Sequence, residues 1–326
     1  MRIRFRTICF FLVVAVLAAV FVNLNTGFLT LSVADFFSSA SQNSQIAELR
    51  IHRILAVMLA GLAIPTSGFL LQEYFQNPLA GPSVLGITSA ASLSVAFYIF
   101  FSKDLSLPMF LQNSFISITA IAGALVLMLV LIAFSNRFAD KSFLIIFGFL
   151  ISALAGAIVS VLQFYADNQD LKNYVLWSFG ANNQVSGNQI TVLAIMVLVG
   201  LLLSFKTIKP LIGSALGNSY AQSVGVNLTL LKYLVIIASS VLSASVTAFL
   251  GPILFIGIVV PHFCRMIYNP SKLWHQWILN MILGVLVMEV FSVISEVSQF
   301  PLNVITSLFG IPVILTMMLN HSKTSH

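Results

Sequence analysis

The sequence predicts an all-α membrane protein, one membrane domain over residues 1–326 built on about ten transmembrane helices. Three observations lead there. Hydrophobic residues make up 59% of the 326 positions and charged residues 7%, where soluble domains carry roughly a quarter charged. Ten long apolar stretches follow one another, each near the roughly 20 residues a bilayer-crossing helix needs. The connections between them are short, polar and alternately rich and poor in lysine and arginine, as in a chain that weaves between an inner and an outer side.

The first apolar run, Ile8 to about Phe28, follows Arg2, Arg4 and Arg6. It is longer than the apolar core of a secretory signal and lacks a small-x-small cleavage site, so it reads as a span. The others fall at about 51–72, 84–101, 115–135, 143–164, 189–205, 231–250, 252–268, 276–296 and 302–319. With both termini inside, eleven of the fifteen Lys and Arg lie on the inner side and only Arg50, Arg53, Lys103 and Lys172 on the outer. The acids Asp35, Glu48, Asp104, Asp167, Asp170 and Glu296 lean outward. Cytoplasmic loops should be the basic ones, so the ten-span topology is self-consistent.

Two connections exceed a turn. The outer one, 165–188, is expected to hold a short interfacial helix anchored by Trp177. The inner one, 206–230, holds Gly213, Ala215, Leu216, Gly217, Ala221, Val224 and Gly225. Its small and mixed residues suit a short helix outside the membrane and a surface for a cytoplasmic partner.

Several function classes drop out. The net charge of +6 is spread over loops rather than gathered on one face as nucleic-acid binding requires. Cys9 and Cys264 are far apart and form no disulfide framework. An integral membrane enzyme needs a clustered His/Asp/Glu or Ser/His set, and none is visible. No Gly-x-x-x-x-Gly-Lys-Ser/Thr phosphate loop occurs, so any ATP-driven work must draw on another polypeptide. Few charges fall within spans, which argues against a bare ion held by carboxylates. Glu289 is the residue an ion-gradient-driven secondary transporter would use.

Three blocks stand out. Arg50 and Arg53, three apart at the outer end of the second span, share a face if the helix begins there. Such a pair either snorkels to lipid headgroups or docks an acidic external protein. Asn77-Pro78-Leu79-Ala80-Gly81-Pro82 breaks the helix at the inner boundary. In residues 251–265, GPILFIGIVVPHFCR, Gly251-Pro252 is suited to opening a helix, Pro261 to kinking it, and His262 and Arg265 lie at the inner boundary. His262 and Cys264, two apart on a helix, face different directions and have no third ligand nearby, so a structural or interface histidine is expected and no metal site.

Taken in order, the arginine pair, the Gln72 to Gly86 block, the Ala221 to Val226 stretch, the Gly-Pro-Ile to Pro-His-x-x-Arg block and the closing Phe309-Gly310-Ile311-Pro312 resemble the FecCD-type permeases. These are membrane subunits of bacterial ABC importers for iron-siderophore complexes, haem and vitamin B12. The resemblance runs from about 48 to 319 and implies the type II ABC importer permease fold in a bacterial inner membrane. It further implies two cytoplasmic ATPases that use ATP and magnesium, a second permease, identical or homologous, and an external substrate-binding protein or lipoprotein. No cofactor is implied on this chain. Arg50 and Arg53 would dock the binding protein. Asn77, Pro78, Leu79 and the segment from Ile212 to Leu228 would engage the ATPase. Lys141 and Ser142 align with a cytoplasmic gate, and the fifth and tenth spans with the pathway wall. An iron-siderophore complex is the first expectation for substrate. The chain also departs from the family: Val293 stands where members often carry an arginine four residues after an acid, here Glu289. Asn303 replaces the glycine of Pro-x-Gly, and Leu254 the second glycine of Gly-Pro-Ile-Gly. Some of these changes fit pairing with a non-identical permease.

Overall fold

The computed structural model describes residues 5–37, 43–102, 109–137, 141–180, 185–268 and 272–324. Arg2, Arg4, Lys103 and Asp104, which helped to orient the chain, lie outside them. The described elements are all helices. They run α1 Phe5–Asn25, α2 Val33–Phe37, α3 Ser44–Phe75, α4 Ile87–Phe101, α5 Met109–Ser135, α6 Lys141–Tyr165, α7 Asn168–Ser178, α8 Gly187–Ala215, α9 Asn218–Ser223, α10 Leu228–Leu250, α11 Ile256–Ile267, α12 Leu273–Ser298 and α13 Leu302–Thr324. Helices α1, α3, α5, α6, α8, α10 and α12 are long and apolar enough to cross a membrane, and α4, α11 and the Leu302–Met317 stretch of α13 are shorter apolar helices. These are the ten apolar segments of the sequence, and the protein is multi-pass. The 165–188 connection forms α7 and the 206–230 connection α9.

The α3 helix is the central post. Over its most apolar window 78% of residues are buried, against 11% for α1 and 22% for α6. Its neighbours come close because small residues face it, as packing between helices in lipid requires. A Cβ on Gly61 would lie 2.6 Å from the Val285 Cα of α12, and one on Gly68 would strike the Gly257 backbone of α11. The α8 and α10 helices meet in the same way, with a Cβ on Gly200 falling 2.6 Å from the Leu242 side chain.

Two apolar helices are too short to span on their own, for a physical reason. At about 1.5 Å per residue, α4 covers about 22 Å and α11 about 18 Å of a hydrocarbon core about 30 Å thick. The missing length is irregular backbone inside the protein. The turn after α3 climbs back: Tyr74 meets Lys141 at the first residue of α6, whereas Leu85 packs against Gly148, about 10 Å deeper along α6. Before α11, residues 251–255 are likewise non-helical. Non-helical backbone is tolerated at that depth only where protein covers it, and Ala80, Gly81, Pro82, Leu85, Gly86, Gly251 and Ile253 are buried.

Three local expectations are corrected. The α8 helix does not end at about 205 but continues through Pro210 to Ala215, absorbing the start of the segment assigned to a loop, because Thr207, Ile208, Leu211 and Ser214 keep one buried stripe going. The α11 helix starts at Ile256, not 252: Gly251 (φ 74°) and Phe255 (φ 66°) both hold left-handed backbone, which interrupts the helix. Trp177 is buried at 5% exposure against Tyr174 rather than anchoring an interface.

Candidate functional site

Candidate functional side chains gather at the two ends of α3. At its N-terminal end Arg50 and Arg53 lie two turns inside the helix, which begins at Ser44 rather than at the arginines. Arg50 is 5% exposed. Its guanidinium donates to the backbone carbonyls of Leu24 (2.8 Å) and Leu29 (2.9 Å), and it lies against Gly27, which leaves room for no side chain there. The expected outer-edge position therefore does not hold for Arg50; it ties down the turn after α1. Arg53 pairs with Glu296 and donates to Asn23 Oδ1 (2.8 Å), while Asn23 Nδ2 donates to Glu289 Oε2 (2.6 Å). Asn23 and Glu289 are fully buried. Glu289, Asn23, Arg53 and Glu296 thus form one chain of polar contacts joining α12, α1 and α3. An open cavity of about 480 Å³ lies beside it, lined by Arg53, Glu296, Ser292, Ser295, Thr26 and Gly27 among others.

Nothing in the sequence paired Asn23 with Glu289 across 266 positions. The available signal was the cost itself, since a carboxylate in mid-span needs a partner, and Asn23 is one of the few polar residues in the first apolar run. Val293, where family members often carry arginine, is half-buried one turn beyond Glu289. Asn303 also has an internal function. Its Nδ2 donates to the Ser178 carbonyl (3.0 Å) and lies 3.4 Å from the Leu250 carbonyl, closing a joint between the ends of α7 and α10 where Gly180 and Gly251 leave no room for side chains.

At its C-terminal end, α3 stops at Gln76, a left-handed cap whose N–H bonds back to the Gln72 carbonyl. Asn77 then shapes the turn by accepting the Leu79 N–H on its side chain (2.9 Å) and the Ala80 N–H on its carbonyl (3.1 Å). Pro78 is exposed. Lys141 donates to the Tyr74 carbonyl (3.0 Å), with its ammonium 4.4 Å from the Tyr74 ring centre. Ser142 is exposed beside it. The gate candidates therefore sit directly on the end of α3. The acid Glu73 occupies the last turn, where the helix dipole disfavours negative charge. Arg265 of α11 answers it, donating to Glu73 Oε1 (3.2 Å) and to Gln72 Oε1. Sequence reading gave Gln72 and Glu73 no role, although an unmatched acid in a last turn was a visible signal.

A second feature is the α8–α9–α10 corner. Gly217 (φ 107°) and Gly225 (φ 84°) turn the chain on either side of α9. Ala221 is buried, its carbonyl accepts the Val226 N–H (2.9 Å), and Gly213 lets Val226 approach to 3.1 Å of where a Cβ would be. Ala215, Gly217 and Gly225 lie at the surface, and Leu216, Tyr220 and Val224 are exposed at 65%, 48% and 55%. With Lys209 and Ile212 they border an open cavity of about 600 Å³. His262 is half-buried on α11, and among the described residues no three His, Cys, Asp or Glu side chains gather in a metal-binding arrangement.

Known proteins resemble this chain over most of its length. The haemin transport permease HmuU of Yersinia pestis is 29% identical, with 99% of this chain and 98% of that protein covered. The vitamin B12 import permease BtuC of Vibrio vulnificus is 30% identical over 87% of this chain and 86% of its own. A transporter solved in an inward-facing conformation and assigned to the metal-chelate ABC type superposes with a TM-score of 0.83 at 24% identity, covering 97% of this chain and 99% of that one; it shows the same fold. Residues 11–320 match the FecCD transport family, and the chain belongs to that family of membrane permeases.

Proposed function

We propose that the chain is the membrane-spanning permease subunit of an ATP-binding cassette importer that carries a metal chelate, an iron-siderophore complex first and haem or cobalamin as related cargo, into the cytoplasm of a bacterium. It lies in the cytoplasmic membrane with both termini inside. It hydrolyses no ATP itself; two cytoplasmic ATPases do so with ATP and magnesium. A second permease completes the pathway, and an external binding protein or lipoprotein delivers the cargo. The observation that carries this reading is the exposed Leu216, Tyr220 and Val224 group on a chain with no phosphate loop of its own.

The outer face supports delivery. Arg53 and Glu296 border the outer cavity and are reachable by an acidic or basic partner, while Arg50 holds the 24–29 turn from beneath. Exposed ion pairs contribute only about 0 to 1 kcal/mol each, so their effect falls on encounter and orientation. The wall is supported by α6 and α13, which leave large apolar side chains uncovered, among them Phe149 (60%), Leu154 (58%) and Leu308 (66%). The test is co-purification of the tagged chain from its native membrane. Recovery of a vanadate-sensitive ATPase is expected, followed by ATP-dependent uptake of one of ferrichrome, ferric citrate, haemin or cyanocobalamin in liposomes with the binding protein. A lone ATPase-free permease whose uptake follows an ion gradient would overturn the reading.

A further inference from the structure

Pro261 has no N–H, so the carbonyl of Gly257, four residues earlier in α11, has no helical donor. Gln72 Nε2 of α3 lies 3.4 Å from that carbonyl and 3.4 Å from that of Ile258. The same Gln72 side chain offers its oxygen to Arg265 at the other end of α11, and Arg265 reaches on to Glu73. One amide thus touches the first turn of α11 with its nitrogen and meets the last turn with its oxygen. Gly68 against Gly257 removes any gap between the two helices. The turn that follows α3 joins the same body: a Cβ on Gly81 would lie 3.0 Å from the Ile258 side chain, and one on Gly257 would lie 3.3 Å from Pro82.

The far end of α11 rests on α13. Phe255 is a bulky residue with left-handed backbone at the centre of a three-residue turn, in which the Ile256 N–H bonds to the Leu254 carbonyl (2.8 Å). That hand of turn is rare and strained. It holds Phe255 against α13 so closely that a Cβ on Gly310 would lie 2.5 Å from that of Phe255. Strain of this kind persists where surrounding structure enforces it.

We propose that the Arg265 fork on Gln72 and Glu73 is a positioning device that makes α11 and the inner end of α3 one rigid lever, delivering displacement of the Asn77–Gly86 turn through Phe255 to Gly310 of α13. The proposal rests on the importer reading above, because that reading supplies the displacement. Arg265, Gln72 and Glu73 touch no cargo; they decide how much of an ATPase stroke reaches α13.

The test uses the complex co-purified from the native membrane and placed in lipid nanodiscs, with Cys9→Ser and Cys264→Ser as background and bimane attached through Leu308→Cys on the exposed side of α13. ATP hydrolysis and the bimane emission change on vanadate trapping are read together. The parent complex should hydrolyse ATP and shift its emission. Arg265→Met should keep hydrolysis within about twofold while the equilibrium reported by the bimane falls on the order of tenfold, the range expected for residues that transmit coupling. The swap Arg265→Glu with Glu73→Arg should restore at least half of the signal. An unshifted bimane in the parent complex overturns the lever. So does an Arg265→Met complex with full response, or one whose hydrolysis and response fall together in proportion to the protein recovered. If Arg265→Met does not assemble, Gln72→Met decides, since it keeps the ion pair and removes only the bridge; an unchanged response there overturns the proposal. Absence of any ATPase from the purified complex would instead defeat the importer reading.

Discussion

Removing the Asn23 side chain should expose what Glu289 is for. Both residues are fully buried, Glu289 Oε2 accepts from Asn23 at 2.6 Å, and Glu289 Oε1 has no hydrogen-bond partner among the described residues. Asn23→Leu leaves a buried carboxyl with neither oxygen served and takes an acceptor from Arg53, a loss of about 2 kcal/mol, as for a buried hydrogen bond to a charged group. Glu289→Leu leaves only a neutral amide unpaired, about 1 to 3 kcal/mol. The double replacement with leucines removes the mismatch, so it should cost no more than Glu289→Leu alone, a coupling of about 2 kcal/mol between neighbours. The assay is unfolding in mixed micelles titrated with sodium dodecyl sulfate and followed by circular dichroism. Additive effects would refute the pairing argument. Glu289→Gln keeps an acceptor for Asn23 and should retain uptake; loss of uptake with unchanged stability would refute a structural carboxylate and restore the gradient-driven carrier.

Other perturbations separate the remaining roles. Gly284→Leu should destabilise by about 3 kcal/mol, because its side chain would enter the Gly61 carbonyl and lie 2.6 Å from Pro65; loss of the monodisperse peak on size-exclusion chromatography would report it. Leu216→Asp with Val224→Asp should lower ATPase recovery on co-purification about tenfold while stability stays within about 0.5 kcal/mol, since both side chains are exposed. Lys141→Met should cost about 1 kcal/mol by taking a cation from the α3 terminus, seen as faster amide exchange over residues 72–80. Arg53→Glu should cut binding-protein-dependent uptake more than ATP hydrolysis, whereas Arg50→Met should lower stability first, because two backbone carbonyls lose their donor.

The ten apolar segments were legible because length and hydropathy alone decide what a bilayer accepts. The existence of α7 and α9 was legible too, from connections longer than a turn and rich in glycine or polar residues. What escaped depended on partners distant in sequence. Residues 206–215 look like a loop by their lysines and proline, and become helix only because Ile208 and Leu211 find a buried face. Gly251-Pro252 reads as a helix start, yet the left-handed Phe255 postpones that start by four residues, a conformation that nothing about phenylalanine announces. Arg50 reads as an outer-edge charge until the Leu24 and Leu29 carbonyls, on a separate stretch of chain, are brought beneath it. Asn303 reads as a lost glycine, whereas its amide bridges the Ser178 and Leu250 carbonyls. Propensity and pattern fix elements; cross-chain polar contacts answer to tertiary geometry.

The twelve residues of α11 carry a consequence for biogenesis. A segment covering about 18 Å cannot partition into lipid by itself, and its flanking 251–255 backbone would meet hydrocarbon unpaired. It has to remain at the insertion machinery until α3, Gln72 included, is beside it and α12 has emerged behind it. Entry of α11 into the membrane therefore depends on α3, and a lesion in α3 should surface as failed insertion of α11 before transport is measured.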